Sequence, residues 1–275
     1  MGSNKCTNPM RIVTIDLEKN TLTSKFCQTA KATSLSDCDT KTASGMKYIT
    51  SGSSGSATSA TPASSFSKNV YNFRDAATSN TTLLKPGLLY RSANLNGATD
   101  SDKTKLSSLL KDGLLIDLRE STDSKFVSDT KLNLTGVNLL HVPIKGENTA
   151  DGYKKTFVNS ATARMQFGKA VIAIANATEP ILVHCKSGKD RTGWTVAMIM
   201  YIVGDGKYTT SKLDEMVETE YLRSNEYKAH SVEKEWLRAG LTEARSKYGS
   251  IMGYIKNGLG ITGDTITLLK NRLGV

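Results

Sequence analysis

The chain has 275 residues, and its 36 Lys and Arg against 26 Asp and Glu give it a formal net charge of +10. No apolar run reaches the roughly 18 residues needed to cross a bilayer, and four cysteines are too few for a disulfide-held scaffold of this size. We therefore expect no transmembrane segment and no cysteine-rich module, and the basic composition favours anionic partners such as phosphorylated substrates or an anionic membrane surface.

Residues 1–69 are predicted to form an N-terminal extension. Three segments have the pattern or length of short strands: Arg11 to Leu17, Leu22 to Phe26 and Met46 to Ile49. Residues 50–65 contain only Ser, Thr, Gly, Ala and Pro, which bury too little surface to offset chain entropy, so a linker or exposed loop is predicted. A Cys27–Cys38 disulfide would indicate secretion, but free thiols fit equally well, so cytoplasmic and secreted locations both stay open.

Residues 70–275 are predicted to form one α/β domain, a mostly parallel sheet flanked by helices, because strand-length apolar runs alternate with helical periodicity. The predicted strands are Leu88 to Arg91, Leu114 to Leu118, Val137 to Val142 and Ile181 to His184. The predicted helices are a segment capped by Asp100 or Asp102 and ended by Gly113, the segments Ala163 to Ala177 and Thr192 to Val203, and three closing stretches, Leu213 to Tyr221, Trp236 to Ala244 and Asp264 to Leu273. The helix after Thr192 is apolar nearly all round, so it is predicted to be central.

The most informative segment runs from His184 to Gly193, between a buried strand and this central helix. Amide groups of a short loop that enters a helix N-terminus converge on one point and favour an anion there. The same field lowers the pKa of Cys185, and Arg191 can bind two oxygens of a tetrahedral dianion with its planar guanidinium. Ser187 and Gly188 allow the tight turn that this arrangement needs. The segment therefore predicts a cysteine nucleophile in a phosphate-binding loop.

This segment resembles the signature of the protein tyrosine phosphatase superfamily, in which His-Cys is followed by five residues, Arg, and Thr or Ser. The run Gly188 to Gly193 resembles the atypical bacterial and fungal branch, which includes dual-specificity and phosphoinositide-active enzymes. Two upstream regions support that branch: Asn72 to Asp75 with Leu88 to Ser92, and Ile116 to Arg119. The resemblance covers about Val70 to Val275. It implies a tyrosine phosphatase-like fold with no metal or other cofactor, because Arg191 and the loop amides neutralise the phosphate.

The residues and the resemblance together suggest a role for each position. Cys185 would attack phosphorus and form a phosphocysteine, and Arg191 would stabilise the transition state. In the branch that the chain resembles, the aspartate before the arginine is the general acid, which here is Asp190; its rival is Asp151 in the loop of residues 146–152. A third possibility is that Asp190 only tunes Arg191 or Lys189.

The remaining candidates surround these groups. Thr192 is expected to hydrogen-bond the thiolate, and His184 to orient the loop through backbone hydrogen bonds. The candidate phosphate-binding set is Lys186, Ser187, Gly188, Lys189, Asp190 and Arg191. Asp117 is expected to pair with Lys189, and Arg119 either extends the anion-binding surface or pairs with Glu120 or Asp123.

These observations predict a cysteine-dependent phosphatase acting on phosphotyrosine proteins, with phosphoserine, phosphothreonine and phosphoinositides as further substrates. Lys186 and Lys189 favour phosphoinositides, because a substrate with several phosphates can bind lysines at the rim of the loop as well as the loop itself. The alternative is that these lysines serve solubility alone. The alternatives are a rhodanese-like sulfurtransferase and a phosphate-binding module without turnover. No nucleic-acid partner is expected, and the sequence does not indicate an oligomeric state.

Overall fold

The structure is a computed structural model that describes residues 66–227 and 231–275, together with the backbone of three strands upstream. The chain divides into two compact units, Met1–Ser56 and Ala57–Val275. In the first unit, β1 (Met10–Asp16), β2 (Thr21–Cys27) and β3 (Asp39–Thr40) form an antiparallel sheet in the order β1-β2-β3. The first two predicted strands are thereby confirmed. The predicted Met46 to Ile49 strand, the linker and the Cys27–Cys38 pairing lie outside the described residues and side chains.

A five-stranded sheet forms the centre of the second unit, with strand order β4-β5-β8-β6-β7. Its strands are β4 (Arg74–Asp75), β5 (Leu89–Ser92), β6 (Leu114–Asp117), β7 (Asn138–His141) and β8 (Ile181–His184). Only the edge pair β4–β5 is antiparallel among these strands, and the other pairs are parallel. The predicted α/β class is confirmed.

Three helices connect or follow the parallel strands: α1 (Asp100–Leu109), α3 (Ala161–Asn176) and α4 (Asp190–Gly204). Every residue of α4 is buried, which confirms that this helix is central. It begins two residues before the predicted start, so Asp190 lies in its first turn. The cap of α1 is Thr99 rather than an aspartate, because Thr99 and Asp102 form a reciprocal capping box.

The remaining elements of the unit are helical. Between β7 and α3, the short α2 (Ala150–Gly152) continues into a π-helical turn, Tyr153–Asn159. The C-terminal elements are α5 (Thr210–Leu222), α6 (Lys234–Tyr248), α7 (Ile251–Gly253) with a second π-helical turn (Tyr254–Gly258), and α8 (Gly263–Leu273). Short 3₁₀ turns cover Ala76–Ser79, Asp129–Leu132 and Arg223–Glu226. The three predicted closing helices correspond to α5, α6 and α8.

Candidate active site

The strand register brings the sequence-predicted site to one edge of the sheet. His184, the last residue of β8, lies opposite Ser92 of β5 and Asp117 of β6, so the loop that starts at Cys185 leaves between two neighbouring strands. A cleft of about 380 Å³ opens there. Its lining residues are Asp123, Gly146, Glu147, Asn148, Cys185, Lys186, Ser187, Lys189, Asp190 and Arg191. Cys185 and Arg191 therefore face the same cavity, as the anion-binding hypothesis requires.

The backbone carbonyls of this loop accept hydrogen bonds from residues outside the loop. Asn94 donates to the Lys186 carbonyl through its side chain at 2.8 Å and its amide at 3.1 Å. The Asn72 side chain donates to the carbonyls of Ser187 and Gly188, both at 3.0 Å. In the described part of the chain, the amides of residues 186–189 donate to no backbone carbonyl. A loop binds a phosphate dianion when its carbonyls are bonded to other groups and its amides are free to donate to the phosphate oxygens.

Gly188 is required at its position for two reasons. Its φ of +65° is a left-handed conformation that favours glycine, and an added Cβ would lie 2.2 Å from the Ser92 carbonyl oxygen. The loop therefore packs directly on the end of β5, which holds its amides in place.

A buried charge cluster lies behind the loop. Arg74 and Arg91 both pair with the single carboxylate of Glu220, and Arg91 also donates to the Gly188 carbonyl. Burial, followed by the charge of Arg91, lowers the pKa of Arg74 to about 10. Two guanidiniums against one carboxylate leave net positive charge on the outer side of the loop, which favours an anion in the cleft. The upstream region Asn72 to Asp75 with Leu88 to Ser92, which resembles the branch, thus supports the loop, and sequence reasoning had given its residues no role.

We predict that Asn72→Gly lowers kcat/KM for p-nitrophenyl phosphate about tenfold, since the Ser187 carbonyl loses its donor and the Gly188 carbonyl keeps only Arg91. Glycine keeps the backbone unstrained, because Asn72 has a φ of +54°. Asn133→Gly is the matched control, since exposed Asn133 has a φ of +53° and lies outside the cleft. Steady-state kinetics of both variants check this prediction, and equal activities would contradict it.

Cys185 is buried, with 2% of its surface exposed. Burial alone disfavours the thiolate, but the charge of Arg191 and the nearby hydroxyl and amide of Thr192 outweigh burial, so the pKa of the thiol is lowered. Within the described residues, the buried Thr192 hydroxyl has no hydrogen-bond partner. Its expected hydrogen bond to the thiolate stays a prediction.

The Arg191 guanidinium is positioned by a backbone carbonyl and by the carboxylate of Asp123. It donates to the Ile144 carbonyl at 2.9 Å, and its Nη2 lies 2.7 Å from Oδ2 of Asp123. Burial alone lowers the pKa of Arg191, but the Cys185 thiolate and Asp123 outweigh burial and raise it. Sequence reasoning had considered Asp123 only as a partner of Arg119. No local pattern distinguishes it, because the loop of residues 119–128 places it by tertiary packing.

Asp190 also reaches the cleft, and 8% of its surface is exposed. Burial raises its pKa to about 6, against the opposing effects of Lys189, Tyr153 and Arg191. The Tyr153 hydroxyl donates to its Oδ1 at 3.1 Å. A carboxyl group that keeps its proton up to about pH 6 beside a thiolate is suited to general acid catalysis.

The structure corrects the prediction for Asp117 and Arg119. Asp117 does not pair with Lys189. It forms two hydrogen bonds with the buried guanidinium of Arg119, both at 2.8 Å. Arg119 also pairs with Asp129 at 2.8 Å. Among the described residues it pairs with neither Glu120 nor Asp123, since Asp123 pairs with Arg191, and it does not line the cleft. Its 2% exposure means that it does not extend the anion-binding surface.

His184 belongs to the same buried network, with its Nε2 2.6 Å from Asp129 and its Nδ1 3.3 Å from the Cys185 carbonyl oxygen. Burial opposes a charge on His184, but Asp129 outweighs burial, and the pKa of the imidazole is raised. This geometry fits a structural role in orienting the loop. Asp117, Asp129 and His184 have ligand atoms within 4.8 Å of one another, the spacing of a metal site. However, Arg119 already ion-pairs with both carboxylates.

The two lysines of the loop differ in their environments. Lys186 is exposed at the rim of the cleft. The Lys189 ammonium donates to the Ser231 carbonyl at 2.9 Å, lies 5.0 Å from the centre of the Trp236 ring and is 3.8 Å from Oδ2 of Asp190. Lys189 is therefore fixed by α6 and the segment before it, and not by Asp117 as predicted.

Asp151 is not part of the cleft. It lies in α2, its side chain is 70% exposed, and it pairs with Lys155 at 3.1 Å. From the same loop, Glu147 and Asn148 line the cleft instead, and neither was predicted. The structure thus brings Asp190, rather than its rival, to the nucleophile.

Comparison with known proteins agrees with this chemistry. The model of the "Tyrosine phosphatase family" matches residues 67–275. The chain is 27% identical over 195 residues to the triple specificity protein phosphatase PtpB of Mycobacterium tuberculosis, and the match covers 57% of this chain and 67% of that protein. Among solved structures, the core catalytic domain of the PP-IP phosphatase SIW14 from S. cerevisiae has 21% identity and a TM-score of 0.38, with 58% of this chain and 88% of that chain covered. TpbA from P. aeruginosa has 17% identity and a TM-score of 0.40, with 67% of this chain and 100% of that chain covered.

The segment that matches the family model contains every residue that lines the cleft. The chain therefore belongs to the tyrosine phosphatase family, and it is a hydrolase of the protein tyrosine phosphatase type.

Proposed function

We propose that this protein hydrolyses phosphotyrosine monoesters through a phosphocysteine intermediate, and that phosphoserine, phosphothreonine and phosphoinositides are further substrates. One observation carries the proposal. Cys185, Arg191 and Asp190 line the same cleft, around a loop whose carbonyls accept hydrogen bonds from neighbouring side chains and whose amides donate to no backbone carbonyl within residues 66–227 and 231–275. A nucleophile, an anion clamp and an acid are the three parts that this reaction needs.

In the first step, the Cys185 thiolate attacks phosphorus in line with the leaving oxygen. Arg191 and the loop amides stabilise the charge on the equatorial oxygens, and Asp190 gives its proton to the leaving oxygen as the P–O bond breaks. In the second step, Asp190 takes a proton from the attacking water. The S–P bond breaks, and Thr192 stabilises the released thiolate. Arg191 is buried and its pKa is raised, so its guanidinium stays charged through both steps.

The breadth of the proposed substrates is supported by charge at the rim. Lys186 is exposed and Lys189 lies beside the cleft, so a substrate with more than one phosphate gains contacts that phosphotyrosine does not. The relative PtpB is described as a triple specificity protein phosphatase, which fits a phosphate loop that accepts several kinds of phosphoester.

A substrate panel with a metal chelator present tests the proposal. Release of inorganic phosphate is measured from a phosphotyrosine peptide, phosphoserine and phosphothreonine peptides, and short-chain phosphoinositides, and thiosulfate with cyanide is included to detect sulfur transfer. We expect phosphotyrosine to be hydrolysed with the chelator present. Sulfur transfer without phosphate release would support a sulfurtransferase, and phosphate binding without turnover would support a recognition module.

A further inference from the structure

Asp190 is contacted from behind by two buried tyrosines on different elements. The hydroxyl of Tyr153, from the π-helical turn after α2, lies 3.1 Å from Oδ1 of Asp190. The hydroxyl of Tyr221, near the end of α5, lies 2.9 Å from the Tyr153 hydroxyl. Tyr153 is 0% exposed and Tyr221 is 1% exposed, so water does not compete for these hydrogen bonds. Neither tyrosine lines the cleft.

The direction of this hydrogen-bond chain follows from the number of available protons. A carboxylate only accepts hydrogen bonds, so the single proton of Tyr153 is directed at Asp190. The Tyr153 oxygen then accepts from Tyr221, because Tyr153 has no second proton to donate. Burial, followed by the charge of Asp190, raises the pKa of Tyr153 well above 10, which keeps this donor protonated at any working pH.

The same chain holds when Asp190 is protonated, provided that its proton is on Oδ2. Oδ1 accepts from Tyr153 in both states, and Oδ2 is the oxygen nearer to Lys189, at 3.8 Å from its ammonium. A proton on Oδ1 would require Tyr153 to turn its own proton towards Tyr221. The buried Tyr221 proton would then have no acceptor among the described residues, which is unfavourable.

We propose that Tyr153, supported by Tyr221, is a positioning residue that fixes the Asp190 carboxyl so that its transferable proton is carried on Oδ2. This inference rests on the proposed role of Asp190 as general acid. When the P–O bond breaks, its electron pair stays on the leaving oxygen, which takes the Oδ2 proton and leaves an Asp190 carboxylate. The Tyr153 hydroxyl stabilises this Asp190 carboxylate by donating a hydrogen bond to it, and Tyr153 keeps its own proton.

Packing around the two rings supports a dedicated site. The Tyr153 ring packs against Phe157 and Trp194, with centroids 4.6 and 5.9 Å away. The Tyr221 ring lies so close to Gly193 that an added Cβ there would be 2.9 Å from its Cδ2 atom. The last glycine of the signature segment therefore gives Tyr221 access to the start of α4, beside Asp190.

Tyr153→Phe tests this inference, because it removes the hydroxyl and keeps the ring. We expect kcat for phenyl phosphate, a poor leaving group, to fall about tenfold at the pH optimum, and kcat for p-nitrophenyl phosphate to change less than about twofold. We also expect the basic limb of the kcat–pH profile for phenyl phosphate to move to higher pH, since Tyr153 stabilises the charged form of Asp190. Tyr221→Phe should change both measurements in the same direction by a smaller amount.

Tyr254→Phe is the matched control. Its hydroxyl is also buried, donates to the Phe157 carbonyl at 2.8 Å, and belongs to the same aromatic cluster through Trp194, but it does not contact Asp190. If Tyr153→Phe and Tyr254→Phe give the same leaving-group dependence and the same pH limb, the inference is wrong. If wild type and Asp190→Asn hydrolyse phenyl phosphate equally well, the proposed role of Asp190 fails instead, so the two failures are distinguishable.

Discussion

Cys185→Ser is expected to reduce hydrolysis of every phosphate ester to the uncatalysed background while inorganic phosphate and tungstate still bind. The serine hydroxyl stays protonated, because the groups that lower the pKa of the Cys185 thiol act on a much weaker acid when oxygen replaces sulfur. The anion site itself is intact, since Arg191 and the loop amides are unchanged.

Two measurements check this result together: phosphate release with p-nitrophenyl phosphate, and tungstate binding by titration calorimetry. Thermal unfolding of the variant serves as the control for folding. Turnover within about tenfold of wild type would mean that the nucleophile is another group or a water molecule. Loss of tungstate binding with an unchanged melting temperature would mean that the sulfur forms part of the anion site.

Asp190→Asn is expected to lower kcat for phosphotyrosine peptide about 10²-fold or more, with a much smaller effect on the rate of the first release of nitrophenol from p-nitrophenyl phosphate, measured before the steady state. A phenolate of high pKa needs a proton as it leaves, whereas nitrophenolate leaves without one. Asp151→Asn is the control, because Asp151 is exposed, pairs with Lys155 and should behave as wild type.

The pH profile gives the same prediction a second readout. Burial raises the pKa of Asp190 to about 6, so the acid holds its proton below about pH 6 and loses it above. Activity on phosphotyrosine should therefore fall as the pH rises through this range, and that limb should be absent in Asp190→Asn. If Asp190→Asn matches wild type on phosphotyrosine while Asp151→Asn is slow, the assignment of the two aspartates is reversed.

The strands and the phosphate loop could be predicted from the sequence because their signals are local. Ile181 to Val183 is a short apolar run, and the next ten residues contain both the nucleophile and its anion clamp at fixed spacing. The carboxyl ends of parallel strands share one edge of the sheet, so the positions of Asp117 and Cys185 also followed.

The partners of the buried charges could not be predicted in the same way. Asp117 and Lys189 both lie near the loop, but Asp117 hydrogen-bonds Arg119, two residues along the chain, and Lys189 reaches Ser231. A charged side chain near several opposite charges takes the partner that packing presents, and a single sequence does not contain that information.

The supporting tyrosines and Asn72 were missed for a related reason. Tyr153 lies in a π-helical turn, and its hydroxyl meets Asp190 only because α4 and this turn pack together. Asn72 was noticed as part of a family-like segment, yet its contact with the Ser187 carbonyl spans 115 residues. Only the resemblance drew attention to that segment, and the structure supplied its role.

The most direct test of the central claim is rapid acid quenching of the enzyme during turnover of p-nitrophenyl phosphate, followed by peptide mass spectrometry. We predict a burst of nitrophenol equal to the enzyme concentration and one phosphoryl group on the peptide that contains Cys185. Turnover with no phosphorylated peptide and no burst, or a phosphoryl group on another residue, would contradict the account.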